Sequence, residues 1–278
     1  MGRRRSVRRQ QGDQAPRRRF PIALRLAATA VVVIAAVGVA AVLLLTRGSG
    51  EPSGPRAAII DQLTLTQPNP AFADDTTRLL EDAGYSVDYF PGEQVTVDFY
   101  RDLPKRNYDL IIFRAHSARV KESDRATLTD EVAIFTGEPY DATKYLDEQY
   151  SHRLNVARHH ESTGNETFYF AMGPGFIRDS MKGRFNGTTV ILMGCDALSS
   201  DTAAQAFIDK GASAVTGWSG QVTAPHTDDT TERLLQYLVS DGLDAQDAAS
   251  RAAADMGPDP SYGSTLLLYP TATAAASP

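Results

Sequence analysis

The chain has one cysteine, Cys195, in 278 residues. A single thiol cannot close an internal disulfide, so cross-links within the chain are excluded. Free cysteine also serves as a small buried hydrophobe, so its position must decide its role. Metal-binding patterns are missing as well. His152, His159, His160 and His226 are not accompanied by any Cys/His spacing that matches zinc, and no metal is expected. Gly173-Pro174-Gly175 is a loop without a following Walker pattern, so it does not read as a phosphate cradle. There is no internal repeat, and no sequence feature calls for a cofactor.

Positive charge is scarce beyond residue 50. The whole chain has 28 basic and 34 acidic residues, a net of −6. Ten of the basic residues and one acid, Asp13, precede residue 50. The remainder therefore has 18 basic and 33 acidic residues, a net of −15. A domain this acidic argues against nucleic acid as a partner.

Charge is absent altogether from Leu26 to Thr46. About 20 apolar residues at ~1.5 Å each cross the roughly 30 Å hydrocarbon core of a bilayer. Nine arginines precede this stretch, and only Arg47 follows it closely. That asymmetry predicts a single-pass anchor at 26–46 in the cell membrane, with residues 1–25 as a basic cytoplasmic tail. The alternative is a cleaved signal peptide, but the stretch is longer than the usual apolar region of one. Residues 47–55 are rich in Gly, Ser and Pro and read as a linker. Residues 271–278 read as a disordered tail. Nothing in the sequence sets an oligomeric state.

About 220 residues remain, which suits one α/β domain over 56–270. Strand and helix patterns alternate, as in a mainly parallel sheet. Predicted strands are Arg56 to Leu63, Tyr85 to Phe90, Asp109 to Phe113, Thr189 onward, Ser213 to Trp218 and Thr265 to Tyr269. Predicted helices follow Asn69-Pro70 and Ser200, open at Thr227-Asp228-Asp229, and start at Asp244. A short weak helix is expected over Asp98 to Lys105. The segment 117–187 reads as an insertion over the sheet's carboxyl edge. It has strand-like pieces at Val132 to Phe135 and Thr167 to Phe170, a helical stretch over Ala142 to His159, and a short helix over Phe176 to Met181.

Two apolar runs end on chemistry-bearing residues. Asp109-Leu110-Ile111-Ile112-Phe113-Arg114-Ala115 ends on His116, and Thr189-Val190-Ile191-Leu192-Met193-Gly194 ends on Cys195. Neighbouring strands lie about 4.8 Å apart, so adjacent runs would place thiol and imidazole within side-chain reach. An imidazole activates a thiol for attack on a carbonyl and then protonates the leaving amine. The N–H of Cys195 and those just after His116 are candidate donors to the developing oxyanion. Gly194 leaves room for a substrate. Ser199 and Ser200 read as caps rather than donors.

The ends His116-Ser117 and Gly194-Cys195-Asp196 resemble the caspase-like (clan CD) cysteine peptidases, which have His-Gly and Ala-Cys there. The stretch from Ala204 to Trp218 is similar to the CHAT and gingipain-type branch. The resemblance covers roughly Arg56 to Tyr269 and implies a three-layer sandwich with a mainly parallel sheet. It implies His116 as general acid/base and Cys195 as nucleophile, with backbone groups of Ser117 and Gly194 near the oxyanion. Ser117 stands where the family has glycine, and Gly194 where it has alanine. The resemblance further implies a pocket for one substrate side chain. Asp61, Asp196 and Asp228 are pocket candidates that would favour Arg or Lys, though capping or solvation is the better account of Asp196 and Asp228. Trp218 reads as core first and pocket wall second.

The expected function is a membrane-anchored extracytoplasmic cysteine endopeptidase acting on protein or peptide. The alternatives are an inactive caspase-like binding or sensor ectodomain and an unrelated flavodoxin-like ectodomain.

Overall fold

The computed structural model describes residues 54–121, 127–160, 164 and 166–270. The predicted tail (1–25), anchor (26–46), most of the linker and the C-terminal tail lie outside the described residues. Among the described residues no helix is long and apolar enough to cross a membrane. The described residues all belong to one compact unit, Pro52–Pro278.

In chain order the strands are β1 (Arg56–Asp61), β2 (Ser86–Pro91), β3 (Leu110–Arg114), β4 (Ser117–Lys121), β5 (Leu128–Pro139), β6 (Leu154–His160), β7 (Glu166–Met172), β8 (Thr189–Leu192), β9 (Ala214–Trp218) and β10 (Leu266–Tyr269). The helices are α1 (Pro70–Asp82), α2 (Val97–Asp102), α3 (Leu146–Tyr150), α4 (Thr202–Asp209), α5 (Ala224–Leu235) and α6 (Ala245–Met256). Six strands form one sheet in the order β10-β9-β8-β3-β1-β2. All its pairs are parallel except the edge pair of β10 with β9. The chain is therefore mixed α/β with a mainly parallel first sheet. Its central strands are continuous apolar runs because both faces are covered.

Alternation along those strands feeds two cores. Ala57, Ile59, Leu110, Ile112 and Ile191 face one core, shared with Phe72 and Leu80 of α1, Leu234 of α5 and Ala248 of α6. Ala58, Ile60, Ile111, Phe113 and Val190 face the other, shared with Phe99 of α2 and Phe207 of α4. That second core also receives Ile134, Leu154, Phe170 and Met172 from a separate antiparallel sheet, ordered β4-β5-β7-β6.

Local signals set most boundaries. The Asn69 side chain accepts from the Phe72 N–H at 3.2 Å and Pro70 opens α1, as its sequence predicts. Asp244 caps α6 by accepting from Asp247 N–H at 2.9 Å. Four expectations change. β1 stops at Asp61, and Gln62–Leu65 turn into a 3₁₀ helix instead of extending the strand to Leu63. Only Leu146–Tyr150 of the expected Ala142–His159 helix is helical, because Leu154–His160 pairs in full with β7. Helix α5 begins at Ala224, one turn before the expected Thr227 start, with Pro225 in its first turn. Ser200 does not cap α4. Its hydroxyl donates to the Asp130 carbonyl of β5.

Strand order reverses at β1: the chain leaves it for β2 on one side and returns to β3 on the other. The switch point therefore lies between β1 and β3, at the edge where open α/β sheets bind ligands, and here the loop after β1 reaches across it to His116.

Candidate active site

β3 and β8 are direct parallel neighbours, with Phe113 opposite Leu192. Continued in register, that pairing sets His116 level with Cys195. The Met193 N–H donates to the Phe113 carbonyl at 3.0 Å, which holds the strands together up to the site. His116 and Cys195 both line one cavity of about 360 Å³, with Leu63, Ala115, Gly194 and Val222 among its walls.

The loop after β1 holds His116 at two points. Gln62 Oε1 accepts from the His116 backbone N–H at 3.0 Å. The Thr66 hydroxyl is 3.0 Å from His116 Nε2. Thr66 is itself fixed by its own N–H, which donates to the Leu63 carbonyl at 3.0 Å. With Nε2 engaged, Nδ1 is the ring nitrogen left for proton transfer. The ring also packs near Phe135 and His159, with centroids 5.6 and 4.9 Å away. Burial, then the charges of His159 and Arg114, push its pKa down to about 4.

Cys195 is half-buried. Its Sγ lies 3.5 Å from both the N–H and the carbonyl oxygen of Val222. Burial, with Asp196 and Asp259 nearby, pushes the thiol above its ordinary value despite the Val222 bond. At neutral pH the resting pair is thus a neutral thiol and a neutral imidazole.

Ser117 and Gly194 fit one another. The Ser117 hydroxyl donates to the Cys195 carbonyl at 2.6 Å. A Cβ on Gly194 would lie 2.3 Å from Ser117 Oγ and 2.5 Å from the Ala115 carbonyl. A serine after the histidine therefore requires glycine before the cysteine. The Ser117 hydroxyl sits against the Cys195 peptide, and Ser117 does not line the cavity. Phe135 N–H donates to the His116 carbonyl at 2.9 Å, so by strand alternation the Ser117 N–H faces away from β5. That N–H lies on the Gly194 side, 2.8 Å from where the absent Cβ would sit.

The pocket candidates are not on the cavity wall. Asp61 and Asp228 flank Arg114, and all three are buried. Arg114 Nη1 donates to Asp61 Oδ1 at 2.8 Å. Its Nε and Nη2 form a two-pronged pair with Asp228 at 2.8 and 2.9 Å, and Nη2 also donates to the Gln67 carbonyl. Tyr89 OH and Asn69 Nδ2 complete the two carboxylates. Burial pushes Asp61 above its ordinary pKa, although the Arg114 charge pulls it down. Asp196 is half-buried in a left-handed turn (φ 59°), with its N–H on the Gly220 carbonyl. Trp218 is core, 1% exposed, and its indole N–H donates to the Thr227 hydroxyl.

Sequence reasoning missed Gln62, Thr66, His159 and Arg114. Arg114 had a signal: a lone cation closing an apolar strand, directly opposite Asp61 in register. Among the described residues no group of three or more His, Cys, Asp and Glu could hold a metal ion. A larger hollow, about 550 Å³, lies on the antiparallel sheet and excludes Cys195, but its Phe135 wall touches the His116 ring.

No protein-family model matches the chain. No curated protein matches it in sequence. Among solved structures, protein GSU0716 from Geobacter sulfurreducens is similar at 12% identity and a TM-score of 0.41, over 78% of this chain and 93% of that one. A likeness this weak carries no argument about family or function.

Proposed function

We propose that the chain is a membrane-anchored, extracytoplasmic cysteine endopeptidase of the caspase-like type. The observation that carries this reading is the shared cavity: the only thiol of the chain and an oriented, neutral imidazole line the same open space. The resemblance of the two strand ends and the charge pattern around residues 26–46 support the family and the location.

The chemistry follows from the neutral pair. A peptide carbonyl enters beside Sγ. His116 takes the thiol proton as sulfur bonds to the carbonyl carbon, and the C=O electron pair moves to oxygen. The N–H groups of Ser117 and Cys195 are the candidate donors to that oxygen. Collapse breaks the C–N bond, and His116 passes its proton to the leaving amine. Water, deprotonated by the same imidazole, then cleaves the thioester and restores the thiol. Thr66 holds the ring in one orientation through both halves.

A second reading has its own support. The raised thiol pKa and the Val222 groups bracketing Sγ suit an inactive caspase-like binding ectodomain. Turnover of a quenched-fluorescent peptide library separates the two. The peptidase reading requires cleavage by the intact chain that both Cys195→Ala and His116→Ala abolish. Cleavage that survives Cys195→Ala, or none at all, favours the binding reading.

A further inference from the structure

The inference here rests on the peptidase reading and names its substrate class. We infer that the cavity beside Cys195 takes an uncharged, apolar side chain on the acyl side of the cleaved bond, and refuses both basic and acidic ones.

Four observations lead there. First, the walls hold no Asp, Glu, Lys or Arg. The walls are Leu63, Ala115, Met193, Val222, Ala224 and Pro225, with Gln67, Gly194, Thr223, Thr227 and Tyr262. Second, two of the polar walls are already engaged, and the other two, Gln67 and Tyr262, are neutral. The Thr227 hydroxyl donates to the Met193 carbonyl and accepts the Trp218 indole N–H. The Thr223 hydroxyl and N–H both donate to Asp259. Third, no nearby carboxylate lines the cavity: Asp61 and Asp228 are closed around Arg114, and Asp259, behind Thr223, already accepts from Thr223, Ser261 and Tyr262. Fourth, the Arg114 guanidinium is itself only 1% exposed, with four of its five N–H donors already bonded, so it is closed to an acidic side chain. A charged group entering this space would shed water and meet only the neutral Gln67 amide and Tyr262 hydroxyl, with no opposite charge, whereas an apolar one would bury surface.

The acyl side is fixed by the roles of the two residues. The acyl group bonds to Sγ, and the leaving amine collects its proton at His116. Val222 flanks the sulfur directly, and Thr223, Ala224 and Pro225 continue from it. The apolar wall is therefore on the acyl side.

The test uses the full chain in detergent and peptidyl acyloxymethyl ketones that differ only next to the reactive carbonyl: Leu, Met, Arg or Asp. Intact mass follows adduct formation on Cys195. The Leu and Met probes should label at least about tenfold faster than the Arg and Asp probes. Ala224→Asp sets a carboxylate on the wall and should move the ranking toward Arg. In parallel, Cys195→Ala is titrated with uncleaved peptides ending in Leu, Arg or Asp amide, which reads the cavity without turnover. Leu-preferring binding with no labelling by any probe would sink the peptidase reading and leave the cavity preference standing. Equal or reversed ranking in either assay would overturn the inference itself.

Discussion

Two regions meet at the carboxyl end of β3 and are built in opposite ways. Behind His116, Arg114 and two aspartates form a buried charged cluster. In front of it, the cavity at Cys195 is open, and its only titratable walls are the dyad itself and Tyr262. One residue, Ala115, separates the two. The two carboxylates expected from the sequence to face a substrate are turned inward, where they tie β1, β3, α1 and α5 together. The lesson is that a carboxylate at the functional edge of a sheet is not a recognition group until its partners are known.

The largest effect should come from breaking the charged side. Arg114→Met leaves two buried carboxylates without their cation. Denaturant unfolding should show a loss of about 3–5 kcal/mol. A cost under ~1 kcal/mol would mean that water reaches the cluster and that the two regions are not distinct.

Next in size is Gly194→Ala, which presses a methyl against Ser117 Oγ and the Ala115 carbonyl. Overpacking of this kind costs about 1–3 kcal/mol. The double change Ser117→Gly with Gly194→Ala should recover only part of it, because the Ala115 carbonyl remains. Additive losses in that double-mutant cycle would contradict the fit of Ser117 to Gly194.

Thr66→Val removes the contact on His116 Nε2. Stability should fall by about 1 kcal/mol, while kcat falls and KM stays. Thr66→Ser should keep activity. If valine is as active as threonine, the ring is oriented by something else.

The smallest effect is a shift in pH dependence. His116 is depressed to about 4 by burial, His159 and Arg114. In the unfolded chain an imidazole titrates near ~6.5. As pH falls through that window the unfolded state takes up a proton that the folded site resists, so this residue's share of stability is lost between those values and levels off below about 4. The acid limb of activity should likewise sit near pH 4. His159→Gln should move it upward, because a repelling neighbour is gone. A limb near 6.5 in the unaltered chain would show a solvated imidazole.

How much of this was legible depended on where the determining contacts lie. The parallel strands read directly, because Ile59-Ile60, Ile111-Ile112 and Val190-Ile191 are buried on both faces and need no partner to be recognised. The site edge followed, since His116 and Cys195 close two such runs. The insertion read in part: Val132 to Phe135 and Thr167 to Phe170 lie in β5 and β7 and Phe176 opens a helical turn, but Leu154 to His160 is a strand only by virtue of its pairing with β7. Helix α5 misled for a related reason. Thr227-Asp228-Asp229 has the composition of a helix start, but the chain turns earlier, at Thr223, and Asp228 is drawn inward by Arg114, 114 residues away. Long-range ion pairs leave little trace in local pattern, which is why the closure of Asp61 and Asp228 around Arg114 could not be read from the sequence. Thr66 and Gln62 were hidden by the early end of β1, which converts two expected strand residues into a turn that reaches His116.

The most direct measurement is the rate at which the leucine acyloxymethyl ketone labels Cys195 in the unaltered chain and in His116→Ala, followed by intact mass at pH 7. A working pair predicts labelling in the unaltered chain and a fall of at least about a hundredfold on loss of the imidazole. Labelling at the same rate in both would mean that the thiol acts without His116, and the dyad would have to be abandoned.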